Sequence, residues 1–208
     1  ANAVIGGENA AIFGDYDVDG ATAAALLCRY LRLCGLDPIV HIPDRIFEGY
    51  GPNVDAIRSF AERGARLLIT VDCGVTSLEP LAEAQKLGLD AIVIDHHQAD
   101  ERLPDAVAII DPNRADDLSG LGHLAAVGLV FITLVAVTRE LRKRNFWSGG
   151  RPEPDLLSLL HLVALGTVAD VVPLHGLNRS FVAKGLIAFR RREHVGATAL
   201  MDAARLAG

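Results

Sequence analysis

The chain has 208 residues, half of them apolar and 22 % charged, with a formal net charge of −6. A chain of this length and composition buries a substantial core, and it is not a disordered, collagen-like or disulfide-scaffold protein. Residues 1–100 carry 7 Lys/Arg against 15 Asp/Glu, and residues 101–208 carry 13 against 11. That balance argues against a simple basic nucleic-acid-binding domain, while carboxylates clustered around metal ions remain compatible with it.

The first half alternates strand-like and helix-like segments. Residues 10–13 form a short apolar run, and residues 21–33 have helical composition and stop at Gly35. Strand-like 38–42, an amphipathic helix over 54–63 and an apolar strand over 66–71 follow. A helix over 78–87 and a strand over 91–94 come next, and 106–110 is one further candidate strand. Apolar runs without alternation, separated by helices, indicate an α/β fold: a parallel sheet covered by helices on both faces. The second half is more helical, with patterns over about 123–144, 155–168 and 179–191 and a final stretch over 197–206. Residues 145–154, NFWSGGRPEP, break any helix and read as an exposed connection. The expected division is a sheet region over about 1–115 and a mostly helical part over about 116–208 of one domain.

The longest apolar run, 124–137, is too short for a bilayer span of about 20 residues, and it reads as a buried core helix. Cys28, Cys34 and Cys73 have no metal-type spacing. Reduced thiols, no signal segment and no span lead to the expectation of a cytoplasmic protein. The chain opens at Ala1 and stops at Gly208 without an evident cap, so a longer parent protein is expected.

Acids and histidines recur just after the predicted strands. AIFG is followed by Asp15-x-Asp17-x-Asp19-Gly20, RLLITV by Asp72, Cys73 and Gly74, and AIVI by Asp95, His96 and His97. In open α/β sheets the ligand site lies beyond the carboxyl ends of the strands. Five aspartates and two histidines on one edge would repel one another without cations, so a metal site is the economical reading. An EF-hand is excluded: the twelfth position from Asp15 is Leu26, where that loop needs a bidentate Glu. Carboxylates with imidazole and no thiolate favour Mn²⁺ or Mg²⁺ over zinc. Asp170 lies far along the chain, among Val and Ala in HLVALGTVADVVPL. It is either buried with partners or a further ligand. Cys73 reads as a small packed residue, and His41, His123, His161, His175 and His194 each stand alone, outside the site.

DYDVDG, VDCG, DHH and GTVADVVPL occur in that order. Together they resemble the four motifs of the DHH phosphoesterase superfamily. The resemblance is closest to its RecJ branch, the bacterial single-strand-specific 5′-to-3′ exonucleases. PDRIFEGYG at 43–51 and IIDPNR at 109–114 are similar to pieces particular to that branch. The resemblance implies a metal-dependent hydrolase of phosphodiester bonds that releases mononucleotides from single-stranded DNA in repair and recombination, using two Mn²⁺ or Mg²⁺ ions. Relatives sharing the motifs act on short oligoribonucleotides or cyclic dinucleotides, or keep the fold as a non-catalytic scaffold; these are the alternatives.

Residue by residue, the resemblance implies Asp15, Asp17, Asp72, His96 and Asp170 as metal ligands. Asp72 would bridge the ions, and Asp17, Asp72 and His97 would form the catalytic set. His97 and Arg45 would face the substrate phosphate, and Asp19 and Asp95 would support the ligands. An ion pair of Arg45 with Asp44 or Glu48 is the alternative to phosphate contact. Tyr50 would stack on a base or simply pack, and Arg190, Arg191 and Arg192 read as a solvated helix end. The second, substrate-binding domain of the family has no counterpart in these residues. Weak binding of single-stranded DNA by this chain alone is therefore expected, with no membrane partner and the oligomeric state left open.

Overall fold

A computed structural model describes residues 1–148 and 150–206. Gly149, within the predicted 145–154 connection, and the terminal Ala207 and Gly208 lie outside the described residues. The elements in chain order are α1 (Asn2–Gly6), β1 (Ala10–Gly14), α2 (Val18–Leu33), β2 (Ile39–His41), α3 (Val54–Glu62), β3 (Leu67–Val71), α4 (Leu78–Lys86), β4 (Asp90–Ile94), β5 (Ala108–Ile110), α5 (Ala126–Lys143), a 3-10 turn Leu156–Leu159, α6 (Leu160–Ala169), α7 (Gly176–Arg190) and α8 (Val195–Ala203).

The strands form one five-stranded sheet in the order β2-β1-β3-β4-β5, with every neighbouring pair parallel. Successive strand residues point to opposite faces. Ala10 and Ile12 therefore join α2, α5 and α6 in one core, while Ala11 and Phe13 join α3 and α4 in the other. The helices cover both faces, as the continuous apolar runs require, and the part after β5 is helical. Among the described residues no helix is long and apolar enough to cross a membrane.

Several sequence expectations need correction. The helix expected to begin at 21 begins at Val18, because the Asp17 side chain caps it by accepting from the Gly20 N–H at 2.9 Å. The helix expected from 123 begins at Ala126; it is buried all round over residues 126–131 and on one face only beyond them, where Val135 is exposed. The continuous helix expected over 155–168 is a 3-10 turn followed by α6. The short helix α1 went unpredicted.

Four of the five histidines expected to stand alone form two pairs, while His41 lies 2.8 Å from Glu48. His123 lies 4.2 Å from His175 between ring centroids, and His161 stacks 3.8 Å from His194. Each ring of the second pair lies 3.0 Å from the Ser158 carbonyl. Burial, with nearby His194 and Arg29, lowers the His161 pKa to about 4. The unfolded chain takes up a proton near pH 6.5 that the folded chain resists until about 4. His161 therefore favours the fold fully above about pH 6.5, and that contribution falls away as the pH drops toward 4. Urea unfolding at pH 7.5 and pH 5 should show a loss of about 2 kcal/mol that is absent in His161→Phe. An equal loss in both proteins would refute this assignment.

Candidate metal centre

Sheet register brings the acids together. Gly14 pairs with Val71, and Val71 pairs with Ile94, so β1, β3 and β4 end level. The next residue on each strand is an aspartate: Asp15, Asp72 and Asp95. Their backbone N–H groups continue the ladder, donating to Val71, Ile94 and Ile110 carbonyls at 3.2, 2.9 and 3.0 Å. Glycine at position 20 lets α2 start against this edge, since a Cβ there would stand 2.5 Å from the Asp15 carbonyl oxygen.

The side chains converge on His96. Its Nε2 lies 3.2 Å from Asp72 Oδ1, 3.8 Å from Asp170 Oδ2 and 3.9 Å from Asp19 Oδ2. Asp15, Asp17 and Asp72 form one group of converging ligand atoms. Asp19, His96 and Asp170 form a second, and Asp72, His96 and His97 a third. Asp170 reaches the cluster from the end of α6, followed by Val171 in the left-handed region at φ 62°. Asp72 itself sits at φ 63°, a conformation aspartate tolerates better than most residues. The five residues expected as metal ligands thus stand in one place.

Their hydrogen bonding divides the acids. Asp15 Oδ1, both Asp72 carboxylate oxygens and Asp170 Oδ2 are buried without a well-directed hydrogen-bond partner. A buried carboxylate oxygen without a partner is costly, and several facing one another are more so. Divalent cations with oxygen ligands satisfy such a set, so these residues fit them. Asp19 and Asp95 are different. Asp19 accepts from the Ala126 and Val127 N–H groups at 2.6 and 2.9 Å, which anchors the start of α5. Asp95 Oδ1 accepts from His97 Nδ1 at 2.7 Å and from the His96 N–H at 2.8 Å, and its Oδ2 from the Val75 N–H at 3.0 Å.

Electrostatics follow from this geometry. Burial, then the neighbouring acids against the opposing His96, pushes the Asp72 pKa up to about 8. Burial also raises Asp15 and Asp170. Burial disfavours a charged His96, but Asp72, Asp170 and Asp19 together outweigh it and lift the imidazole to about 9. Burial likewise opposes a charged Asp95, yet the bond from His97 and the donating amides hold its pKa below the usual range.

The rim carries the remaining candidates. Tyr50 donates to the Asp72 carbonyl at 3.3 Å and packs edge-on against Tyr16 and His97. Arg45 lies over the Tyr16 ring, 5.3 Å from its centroid. The two acids that could have paired with it are otherwise engaged. Asp44 accepts from the Ile46 and Phe47 amides, and Glu48 accepts from His41, Asn53 and the Asp44 amide. Cys73 is fully buried.

Sequence reasoning missed Asp111 as part of this edge. It follows β5 as Asp15, Asp72 and Asp95 follow their strands, and the same signal could have found it. Its Oδ2 is buried without a partner, and burial lifts its pKa to about 6.

The model of the DHH family, N-terminal domain, matches residues 9–167. The chain is 40 % identical over 189 residues to the single-stranded-DNA-specific exonuclease RecJ of Bacillus subtilis (strain 168), covering 91 % of this chain and 22 % of that protein. It is 38 % identical over 206 residues to the protein of the same name from Escherichia coli (strain K12), covering 98 % and 36 %. A crystal structure of exonuclease RecJ bound to manganese is similar at a TM-score of 0.83 and 35 % identity, covering 97 % of this chain and 49 % of the other. RecJ from Thermus thermophilus in complex with Mn²⁺ gives 0.79 and 32 %, covering 97 % and 28 %. The chain spans between 22 % and 36 % of the length of these two curated relatives.

Proposed function

Because the chain belongs to the DHH family, we propose that it is the metal-holding part of a nuclease that degrades single-stranded DNA from the 5′ end. The observation that carries this reading is the set of buried oxygens on Asp15, Asp72 and Asp170 that lack a well-directed hydrogen-bond partner, with His96 beside Asp72 and Asp170. Asp15, Asp17, Asp72, His96 and Asp170 would hold two Mn²⁺ or Mg²⁺ ions, with Asp72 shared between them. Bound there, the ions would supply positive charge to the scissile phosphate and make water a competent nucleophile near neutral pH.

The chain's own residues do the rest. Asp95 engages His97 Nδ1 and raises the imidazole pKa, which favours the protonated ring and turns its other nitrogen into a donor for a phosphate oxygen. Such a charge-assisted hydrogen bond is roughly twice as strong as a neutral one. Arg45 contributes a planar fork of donors suited to phosphate, held beside the site by Tyr16.

The acidic first hundred residues leave little basic surface to track a DNA backbone, and non-specific DNA affinity falls steeply with salt. Labelled single-stranded DNA should therefore bind this chain weakly, with binding lost between low and physiological salt. With Mn²⁺, slow release of mononucleotides from 5′-labelled single strands is expected, and a chelator should abolish it. Tight, salt-resistant binding would place the substrate groove on this chain. Cleavage confined to short oligoribonucleotides would replace the proposed substrate.

A further inference from the structure

Three connections from separate parts of the chain meet on one short stretch. Asn113 Nδ2, in the turn after β5, donates to the His96 carbonyl at 2.5 Å and lies 3.3 Å from the Gly122 carbonyl. Asn178 Nδ2, in the first turn of α7, donates to the His123 carbonyl at 2.7 Å and the Pro173 carbonyl at 3.0 Å. The Asp19 carboxylate takes the N–H groups of Ala126 and Val127, a few residues further on. His96 and the 170–173 loop are remote in sequence, yet each is tied by an asparagine to an adjacent carbonyl of residues 122–123.

The ties are specific. The Asn113 backbone N–H donates to Asp111 Oδ1 at 2.8 Å, which fixes the turn that presents its amide. Gly122 is shaped to receive it, since a Cβ there would lie 2.4 Å from Asn113 Oδ1. Asn178 is fully buried.

We propose that Asn113 and Asn178 are positioning residues that clamp the His96 and Asp170 loops to one shared main-chain strap, residues 122–123, and so set the span across which the cluster takes divalent ions. The second half of this statement rests on the metal reading above, and the first does not. Partners that orient metal ligands typically affect affinity 10–100-fold when removed. The strap differs from a local brace because loosening one clamp should also loosen the loop held by the other.

Asn178→Ala could fail to fold, so the test uses Asn113→Asp, which keeps the shape and loses the donor, and Gly122→Ala, which displaces the amide without removing it. Hydrogen exchange on the metal-free chain should quicken at 96–98 and also at 171–175 in both variants. Calorimetric titration with Mn²⁺ should show affinity lowered roughly 10–100-fold. Exchange that changes only near residues 96–98 and 113 would overturn the shared strap. Unchanged Mn²⁺ affinity in both variants, with the wild type binding normally, would overturn the positioning role. A wild type that takes up no Mn²⁺ would overturn the metal reading, and the exchange pattern would then decide the strap by itself.

Discussion

Replacing Asp72 with asparagine is expected to raise the melting temperature of the metal-free protein by roughly 4–8 °C, equivalent to about 2 kcal/mol, while removing most of the stabilisation that Mn²⁺ gives the wild type. Both Asp72 oxygens are buried without a well-directed partner, and burial with the neighbouring acids pushes its pKa to about 8. The folded pKa lies above the unfolded value near 3.9. The contribution of this group is therefore most favourable below about pH 4 and declines as the pH rises toward 8. An amide has no charge to desolvate, so Asp72→Asn should flatten that decline. Asparagine is the informative substitute because the site is left-handed at φ 63°. Asparagine tolerates that region, whereas alanine would add strain of about 1–2 kcal/mol. With Mn²⁺ present the order should reverse, because a ligand stabilises only the fold that binds it. Melting curves of both proteins with and without Mn²⁺ check this; equal Mn²⁺ stabilisation would remove Asp72 from the ligand set.

Asp19→Asn should act in the opposite direction, although Asp19 is as buried as Asp72. Burial pushes its pKa up to about 6 against the two amide bonds that hold it down. Those bonds decide the outcome. Each Asp19 oxygen receives one N–H from the start of α5, and an asparagine would turn its NH₂ group toward one of them. A buried donor left unpaired costs about 1–3 kcal/mol, and more when the lost partner was charged. The variant should lose about 2–4 kcal/mol of stability without metal. It should also bind Mn²⁺ more weakly, since Asp19 Oδ2 lies 3.9 Å from His96 Nε2. Urea unfolding of the two variants side by side should move their midpoints to opposite sides of the wild type. Movement in the same direction would show that hydrogen bonding does not separate these two acids.

The parts of the fold legible in the sequence are those with local causes. Short apolar runs bounded by glycines became strands, and acids at their ends became the site because neighbouring strands end in register. Helix starts were less legible where the cap lies elsewhere. The N–H groups at the start of α5 find their acceptor in Asp19, more than a hundred residues earlier, and no local pattern around residue 123 reports that. The turn at Leu156–Leu159 kept the apolar composition of the helix after it and so read as one helix with it. The histidine pairs and the asparagine clamps arise from tertiary packing alone. Asp111 was within reach, being one more acid after one more strand, but β5 is only three residues long and gave a weak signal.

In the function proposed above, Asp15, Asp17, Asp72, His96 and Asp170 hold two ions that share Asp72. Electron paramagnetic resonance of the chain titrated with Mn²⁺ checks this arrangement. Ions about 3.5–4 Å apart are magnetically coupled, so about two Mn²⁺ per chain should give the signal of a coupled pair, lost in Asp72→Asn. A spectrum of isolated bound ions, or a coupled signal that survives Asp72→Asn, would contradict it.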